Sequence, residues 1–74
     1  MRSLSPDIQS IGRLAKTKRD MLGLTQKDVA GLCNVGIRFL SDLENGKPTL
    51  EIAKVFHVMR ALGLEIHITP RGPR

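Results

Sequence analysis

Four polar side chains follow one another at helical spacing near the middle of the chain: Arg38, Ser41, Asp42 and Asn45. Residues three or four apart lie on the same side of an α-helix, so we expect these donors and acceptors to share one surface. Such groups bind the hydrogen-bonding edges of bases, and an arginine grips guanine through O6 and N7. Two interpretations follow: a surface that reads nucleic acid, or an ordinary solvated helix face.

The residues that could support catalysis or metal binding are few. Cys33 is the only cysteine, which excludes an internal disulfide, and its place on an apolar helical side favours a small core residue over a nucleophile. His57 and His67 complete a ligand set too small for a metal site. Paired carboxylates, a Cys/His dyad and a phosphate-binding glycine loop are missing from the sequence. We therefore expect no enzyme, no metal and no cofactor.

Length and composition predict one folded domain with a polyanionic partner. The chain has 74 residues, 41% of them hydrophobic and 26% charged, which is typical of a small globular domain. A formal charge of +5 and a pI near 10.2 favour a polyanion, although charge alone leaves nucleic acid and an anionic membrane surface open. No apolar run approaches the roughly 18 residues of a membrane helix, and the N-terminus lacks a signal-peptide core. We expect a reduced, cytoplasmic protein.

Capping signals and apolar periodicity divide the chain into helices and one strand. Ser5, followed by a proline and Asp7, predicts the start of the first helix. Thr25 and Asp28 form a capping pattern for the second helix, and Thr49 is the expected cap of the fourth. The predicted elements are helices over about 6–22, 26–33, 37–44 and 50–62, a strand over about 64–69 and a mobile tail over about 70–74.

The second and third predicted helices fit a helix-turn-helix. Only Asn34, Val35 and Gly36 separate them, and Leu40 and Leu43 would anchor the third helix while its polar side stays free. In this motif the second of the two helices enters the major groove of DNA. The four polar side chains would then face base pairs.

The segment GLTQKDVAGLCNVGIRFLSDLENGKP, residues 23–48, resembles the core of the phage-repressor-like (Cro/C1, XRE) helix-turn-helix family. GLTQ, the small Ala30, Val35 and LENGKP match the family pattern in order and spacing. With the flanking helices, the similarity extends over about residues 8–63. The resemblance implies a mainly α, lambda-repressor-like domain of four helices.

The C-terminal sequence ALGLEIHITP resembles the end of HipB-like antitoxins, whose C-terminal strands pair across a dimer axis. Leu64, Ile66 and Ile68 alternate with polar residues, which is the period of a half-buried strand. No second strand is predicted in the chain, so the one β-strand would pair with the same strand of a second copy. The resemblance thus implies a homodimer whose two reading helices address a palindromic operator.

The resemblance also implies which residues contact DNA. Gln26 would bind backbone phosphate, and Arg38 would read guanine. The full DNA-binding set that it implies is Thr25, Gln26, Lys27, Gly36, Ile37, Arg38, Ser41, Asp42, Asn45 and Lys47. Gly36 and Ile37 stand where family members often have a hydroxyl or amide residue. Asp42 repels phosphate unless it pairs with Arg38 or accepts from a cytosine amino group.

Arg19 and Glu44 occupy the positions of a partly buried salt bridge in similar repressors, which implies the same pair here. Arg13, Lys16 and Lys18 fit ordinary surface solvation as well as contact with DNA or a partner. A further set of alternatives concerns the aromatic ring of Phe39, which fits the core, an interface, or a contact with another protein.

The leading hypothesis is a dimeric transcriptional repressor that binds double-stranded DNA sequence-specifically. It would act as the HipB-like antitoxin of a toxin–antitoxin pair and would autoregulate its operon. A HipA-like serine/threonine kinase toxin would be its protein partner, and no membrane is involved. One alternative is a phage-type repressor without a toxin partner, which co-purification of a larger protein would exclude. The other is a protein-interaction module that does not bind DNA, which salt-sensitive operator binding would exclude.

Overall fold

Four α-helices make up the regular structure of residues 7–72, the part of the chain that the computed structural model describes. They are α1 (Ile8–Met21), α2 (Gln26–Cys33), α3 (Ile37–Glu44) and α4 (Ile52–Ala61). The expectation of a mainly α, four-helix protein is confirmed. Within residues 7–72 no helix is long and apolar enough to span a membrane.

The first helix begins later than its sequence signals predict. Asp7 is the N-cap: its backbone is extended, at φ −129° and ψ 177°, and its carboxylate accepts a hydrogen bond from the Ser10 amide at 2.8 Å. That hydrogen bond is the main reason that the pKa of the Asp7 carboxyl lies below its usual value. A start at residue 6 is therefore wrong, because an extended Asp7 cannot lie inside the helix. The predicted cap, Ser5, lies outside the described residues.

The fourth helix also begins two residues later than predicted, at Ile52. Glu51 is the N-cap residue, with φ −68° and ψ 114°, and no side chain caps the helix. The Thr49 cap is therefore wrong. Leu50, in the non-helical segment before the helix, packs against the core, which is a tertiary contact that capping patterns do not report.

The core lies where the four helices meet. Leu40 and Leu43 of α3 are completely buried, together with Val55 and Val58 of α4 and Ala15 of α1. Burial of each large aliphatic side chain contributes about 1.5–3 kcal/mol relative to exposure. Helix α3 packs on both α1 and α2, and α2 packs on α4. The apolar side of α3 is thus fixed from two directions, and its polar side is left outside.

Two glycines allow α1 to lie directly on the end of α3. A Cβ atom at Gly12 would stand 2.1 Å from the Leu43 carbonyl oxygen, well inside van der Waals contact. After α3, Gly46 adopts φ +78°, and a Cβ atom there would meet Gln9 Cγ at 2.7 Å. A side chain at either position would push α1 and α3 apart.

The C-terminal segment, residues 64–72, follows α4 without regular secondary structure. The Leu64 amide donates to the Met59 carbonyl at 2.9 Å, and Leu64 packs against the core. Ile68, by contrast, is 85% exposed. The strand predicted over residues 64–69 is not formed within the described protomer, because residues 7–72 contain no other strand with which it could pair. The mobility predicted for the tail stays a prediction.

The contact at Gly12 predicts opposite outcomes for two glycine-to-alanine changes. Gly12→Ala should lower the free energy of unfolding by about 1–3 kcal/mol, because the new methyl group overlaps the Leu43 carbonyl. Gly31→Ala is the matched control: it lies inside α2 with open space around it, so the change should add up to about 1 kcal/mol. Urea unfolding followed by circular dichroism measures both. Equal midpoints for the two variants would contradict the close approach of α1 and α3.

Candidate nucleic-acid interface

The turn between α2 and α3 is defined by local hydrogen bonds. The Asp28 amide donates to Thr25 Oγ1 at 3.0 Å, and the Thr25 amide donates to the Asp28 carboxylate at 2.8 Å, which completes the expected capping box. The second of these bonds is the largest cause of the lowered pKa of the Asp28 carboxyl. Asn34 ends α2 in the left-handed conformation, at φ 56°. Gly36 then caps α3 without a side-chain hydrogen bond.

Helix α3 has one buried side and one exposed side. Leu40 and Leu43 are completely buried, whereas Ile37 is 48% exposed and the Arg38 side chain is 90% exposed. Ser41 is half-buried, and its Oγ lies 3.5 Å from Asn45 Nδ2. The outer side therefore presents one apolar group and several hydrogen-bonding groups on a helix whose inner side is fixed.

Asp42 connects two cations on the outer side of α3. Its Oδ2 lies 3.9 Å from Arg38 Nε and 3.5 Å from Lys47 Nζ. The Asp42 side chain is only 25% exposed, so its carboxylate is less accessible to solvent than the guanidinium of Arg38. The sequence suggested that Asp42 either pairs with Arg38 or accepts from a cytosine amino group. The structure contains the pairing with Arg38.

A buried ion pair joins the end of α1 to the end of α3. Arg19 Nε donates to Glu44 Oε2 at 2.6 Å, and Arg19 Nη2 donates to Oε1 at 3.0 Å. The two side chains are 10% and 3% exposed. Arg19 Nη1 also donates to the Leu24 carbonyl at 2.8 Å. The hydrogen bond to Glu44 raises the pKa of the Arg19 guanidinium above its ordinary value.

Gln26 belongs to the same network, which sequence analysis did not foresee. Its Nε2 donates to Glu44 Oε1 at 3.0 Å, so the buried carboxylate accepts hydrogen bonds from both α1 and α2. Gln26 and Glu44 are 18 residues apart, and no local pattern connects them. The glutamine that the resemblance assigns to phosphate is thus oriented by the ion pair.

Most of the other predicted DNA-binding residues are exposed, and Ser41 is half-buried. Thr25 and Lys27 lie at the start of α2, and Gly36 and Asn45 lie at the two ends of α3. Within residues 7–72, no hydrogen bond or ion pair connects Lys27 to α3. The structure brings Arg38, Asp42 and Lys47 together, and it joins Gln26 to Arg19 and Glu44.

The residues predicted to form the dimer strand border an apolar groove. Leu64, Ile66 and Ile68 line a cavity of about 380 Å³ together with side chains from α1 and α4. The helical residues that line it are Ile11, Leu14, Phe56 and Met59. Ile66 and Leu14 are 42% and 51% exposed, so the described protomer covers this groove incompletely.

The remaining candidates are accounted for by packing. Cys33 is buried, and burial raises the pKa of its thiol. His57 Nε2 lies 3.1 Å from the Cys33 carbonyl oxygen. Phe39 is half-buried against the core, with the Lys54 ammonium 6.0 Å from its ring centroid. No cluster of three or more metal-ligating side chains occurs among the described residues.

Comparison with known proteins identifies the same segment. The sequence model of the helix-turn-helix family matches residues 16–68, which contain α2, α3 and α4 entirely. The HTH-type transcriptional regulator y4mF of Sinorhizobium fredii is 45% identical to this chain over 64 residues. The aligned part covers 86% of this chain and 84% of that protein.

Solved structures of HipB share the fold. HipB in a HipB–O4 20mer complex superposes with a TM-score of 0.80 at 17% sequence identity, covering 96% of this chain and 100% of that chain. HipB in a HipA–HipB–O2–O3 complex gives a TM-score of 0.79, also at 17% identity, with 97% and 100% coverage. Likeness at this identity concerns the fold alone.

The buried ion pair predicts a large effect for the loss of one charge. Glu44→Gln should lower the free energy of unfolding by about 3–5 kcal/mol, because it leaves the buried Arg19 guanidinium with only the exposed Asp20 carboxylate as a counter-ion. Asp20→Asn is the control: Asp20 lies 3.4 Å from Arg19 Nη1 but is 55% exposed, so the loss should stay below about 1 kcal/mol. Chemical denaturation measures both. A Glu44→Gln midpoint equal to that of Asp20→Asn would show that the pair adds no more than a surface contact.

Proposed function

This chain belongs to the XRE-type helix-turn-helix family of transcriptional regulators, and we propose that it is a sequence-specific, DNA-binding repressor that acts as a homodimer. The exposed side of α3 is the observation that carries the proposal. Arg38 and Ile37 project from a helix that Leu40 and Leu43 fix from below, so the reading groups lie on a rigid support. Such a regulator acts on DNA in the cytoplasm.

In the proposed complex, α3 enters the major groove, and each of its exposed side chains makes a different contact with the DNA. The Arg38 guanidinium binds guanine O6 and N7, which contributes about 1–3 kcal/mol of discrimination. Ile37 packs on a thymine methyl group, and Ser41 and Asn45 donate to or accept from base edges or the adjacent backbone. Support comes from the exposure of Ile37, Arg38 and Asn45 and from the place of all four residues within the family match.

Phosphate contacts would position α3 in the groove. The start of α2 directs its free amides outward, and Thr25, Gln26 and Lys27 lie there. The Gln26 side chain is already oriented through its donation to Glu44. Lys47 follows α3 and brings a positive charge to the same side. These contacts add affinity without adding sequence information.

The homodimer would form through the C-terminal segments. Among residues 7–72, no amide after Leu64 makes a backbone hydrogen bond, and the groove beneath Ile66 and Ile68 is only partly covered. We propose that residues 64–69 pair with the same residues of a second copy, which satisfies both backbones and buries both apolar rows. Two copies of α3 then lie about 34–36 Å apart, one turn of DNA, which suits a palindromic operator.

An antitoxin role completes the proposal. The fold is like that of HipB, which occurs together with HipA in one of the similar structures. We infer that this chain neutralises a HipA-like serine/threonine kinase toxin and represses the operon that encodes them both.

Sequence reading by Arg38 is tested on duplexes selected from a random library by the wild-type protein. Arg38→Ala should weaken binding to the selected duplex about 5- to 150-fold and should remove the preference at one guanine position. Arg60→Ala is the control, since it removes an exposed arginine that lies outside the helix-turn-helix, and it should leave the preference at that guanine position unchanged. Fluorescence anisotropy at several salt concentrations provides the affinities. A wild-type protein without preference for any duplex would refute the proposed function.

Dimer formation is tested by a charge in the C-terminal segment. Ile68→Asp should produce a monomer, because Ile68 faces solvent in one protomer and would be buried between two. Its helices should stay folded, as circular dichroism would show, while operator binding falls sharply. Ile52→Asp, at a 56% exposed position at the start of α4, is the control that should remain dimeric. Sedimentation equilibrium measures the mass, and a monomeric wild-type protein at high micromolar concentration would contradict the model.

A further inference from the structure

One carboxylate lies on the surface that the proposed function brings to DNA. Helix α3 contains two acids, and Glu44 is buried against Arg19, so Asp42 is the acid on the outer side. A negative charge at this place repels phosphate and weakens binding to any DNA sequence. Its position therefore requires a compensating role.

The contacts of Asp42 indicate that role. Its Oδ2 approaches Arg38 at Nε, the guanidinium nitrogen nearest to the helix, at 3.9 Å. This contact leaves the four N–H donors on the two Nη atoms of a 90% exposed side chain available for the bidentate pair with guanine. An exposed arginine otherwise samples many rotamers and can bind any phosphate in reach. A carboxylate at ion-pair distance favours those rotamers that keep Nε near it.

Lys47 extends the same arrangement. Its ammonium lies 3.5 Å from Asp42 Oδ2, so the carboxylate is shared by two cations that could each bind phosphate without regard to sequence. Asp42 thus reduces the net charge of this trio from +2 to +1. The reduction lowers affinity for non-cognate DNA, where phosphate attraction is the main contribution.

We propose that Asp42 is a specificity-determining, positioning residue, which acts through Arg38. It orients the guanidinium toward a guanine and opposes phosphate binding at the same place, so that α3 selects a G·C pair at the expense of overall affinity. The proposal rests on the proposed function, and it assigns to Asp42 a role that differs from direct contact with a base.

Asp42→Asn tests the proposal, because it keeps the shape of the side chain and removes its charge. Affinities are measured for the selected duplex, for the same duplex with the guanine pair of Arg38 changed to A·T, and for a random-sequence duplex. Binding to the random duplex should become about fivefold tighter or more, and the ratio between the first two duplexes should fall at least about fivefold. Asp20→Asn, which changes the net charge equally on α1, should leave that ratio unchanged.

A double-mutant cycle separates the positioning role from a general charge effect. In an Arg38→Ala background, Asp42→Asn should no longer alter the ratio between the guanine and A·T duplexes, although it should still tighten binding to random DNA. The proposal is overturned if Asp42→Asn leaves the ratio unchanged in the wild-type background, or lowers it equally in the Arg38→Ala background. Loss of affinity for the selected duplex alone would indicate direct contact with cytosine and would also overturn it.

These outcomes differ from failure of the proposed function. If the wild-type protein selects no sequence from the library, the function itself is wrong and this inference falls with it. If the wild-type protein selects a sequence and Asp42→Asn preserves the selection, only the role of Asp42 is wrong. Circular dichroism of each variant shows whether the fold is intact.

Discussion

The buried ion pair between Arg19 and Glu44 holds helix α3 against α1. Two buried charges destabilise a fold unless their hydrogen bonds are satisfied, and here Arg19 donates twice to Glu44 and once to the Leu24 carbonyl. Glu44 also accepts from Gln26. The ends of α1 and α3 and the start of α2 therefore meet at one point. The geometry of that point determines how α2 and α3 are presented together.

The last turn of α3 is fixed twice, at neighbouring residues. The Leu43 carbonyl lies against the backbone of Gly12, and the Glu44 side chain binds Arg19. The first turn, by contrast, carries the exposed Ile37 and Arg38. Helix α3 is thus fixed at its last turn and exposed at its first turn. The fixed turn is a rigid support for the exposed side chains of Ile37 and Arg38.

Sequence analysis correctly predicted two features of the turn region that depend on short-range physics. The Thr25–Asp28 capping box involves residues three apart, and the left-handed Asn34 follows from the preferences of a single residue. Features that depend on distant contacts left no such local pattern, and the Arg19–Glu44 pair was expected only from the resemblance to similar repressors. The approach of Gly12 to Leu43 and the bond from Gln26 to Glu44 connect residues far apart in the chain, and neither leaves a local pattern. The late start of α4 has the same cause, since Leu50 packs into the core. The pairing of residues 64–69 involves two molecules, so the fold of one protomer does not determine it.

The burial of Cys33 has a consequence for how such a regulator responds to its surroundings. The thiolate is the nucleophile that attacks peroxides and electrophiles, and a thiol that is 2% exposed with a raised pKa forms little thiolate at neutral pH. The only thiol of the chain is thus poorly reactive while the fold is intact. An oxidant reaches Cys33 only after the core opens, which separates redox chemistry at this residue from the folded protein.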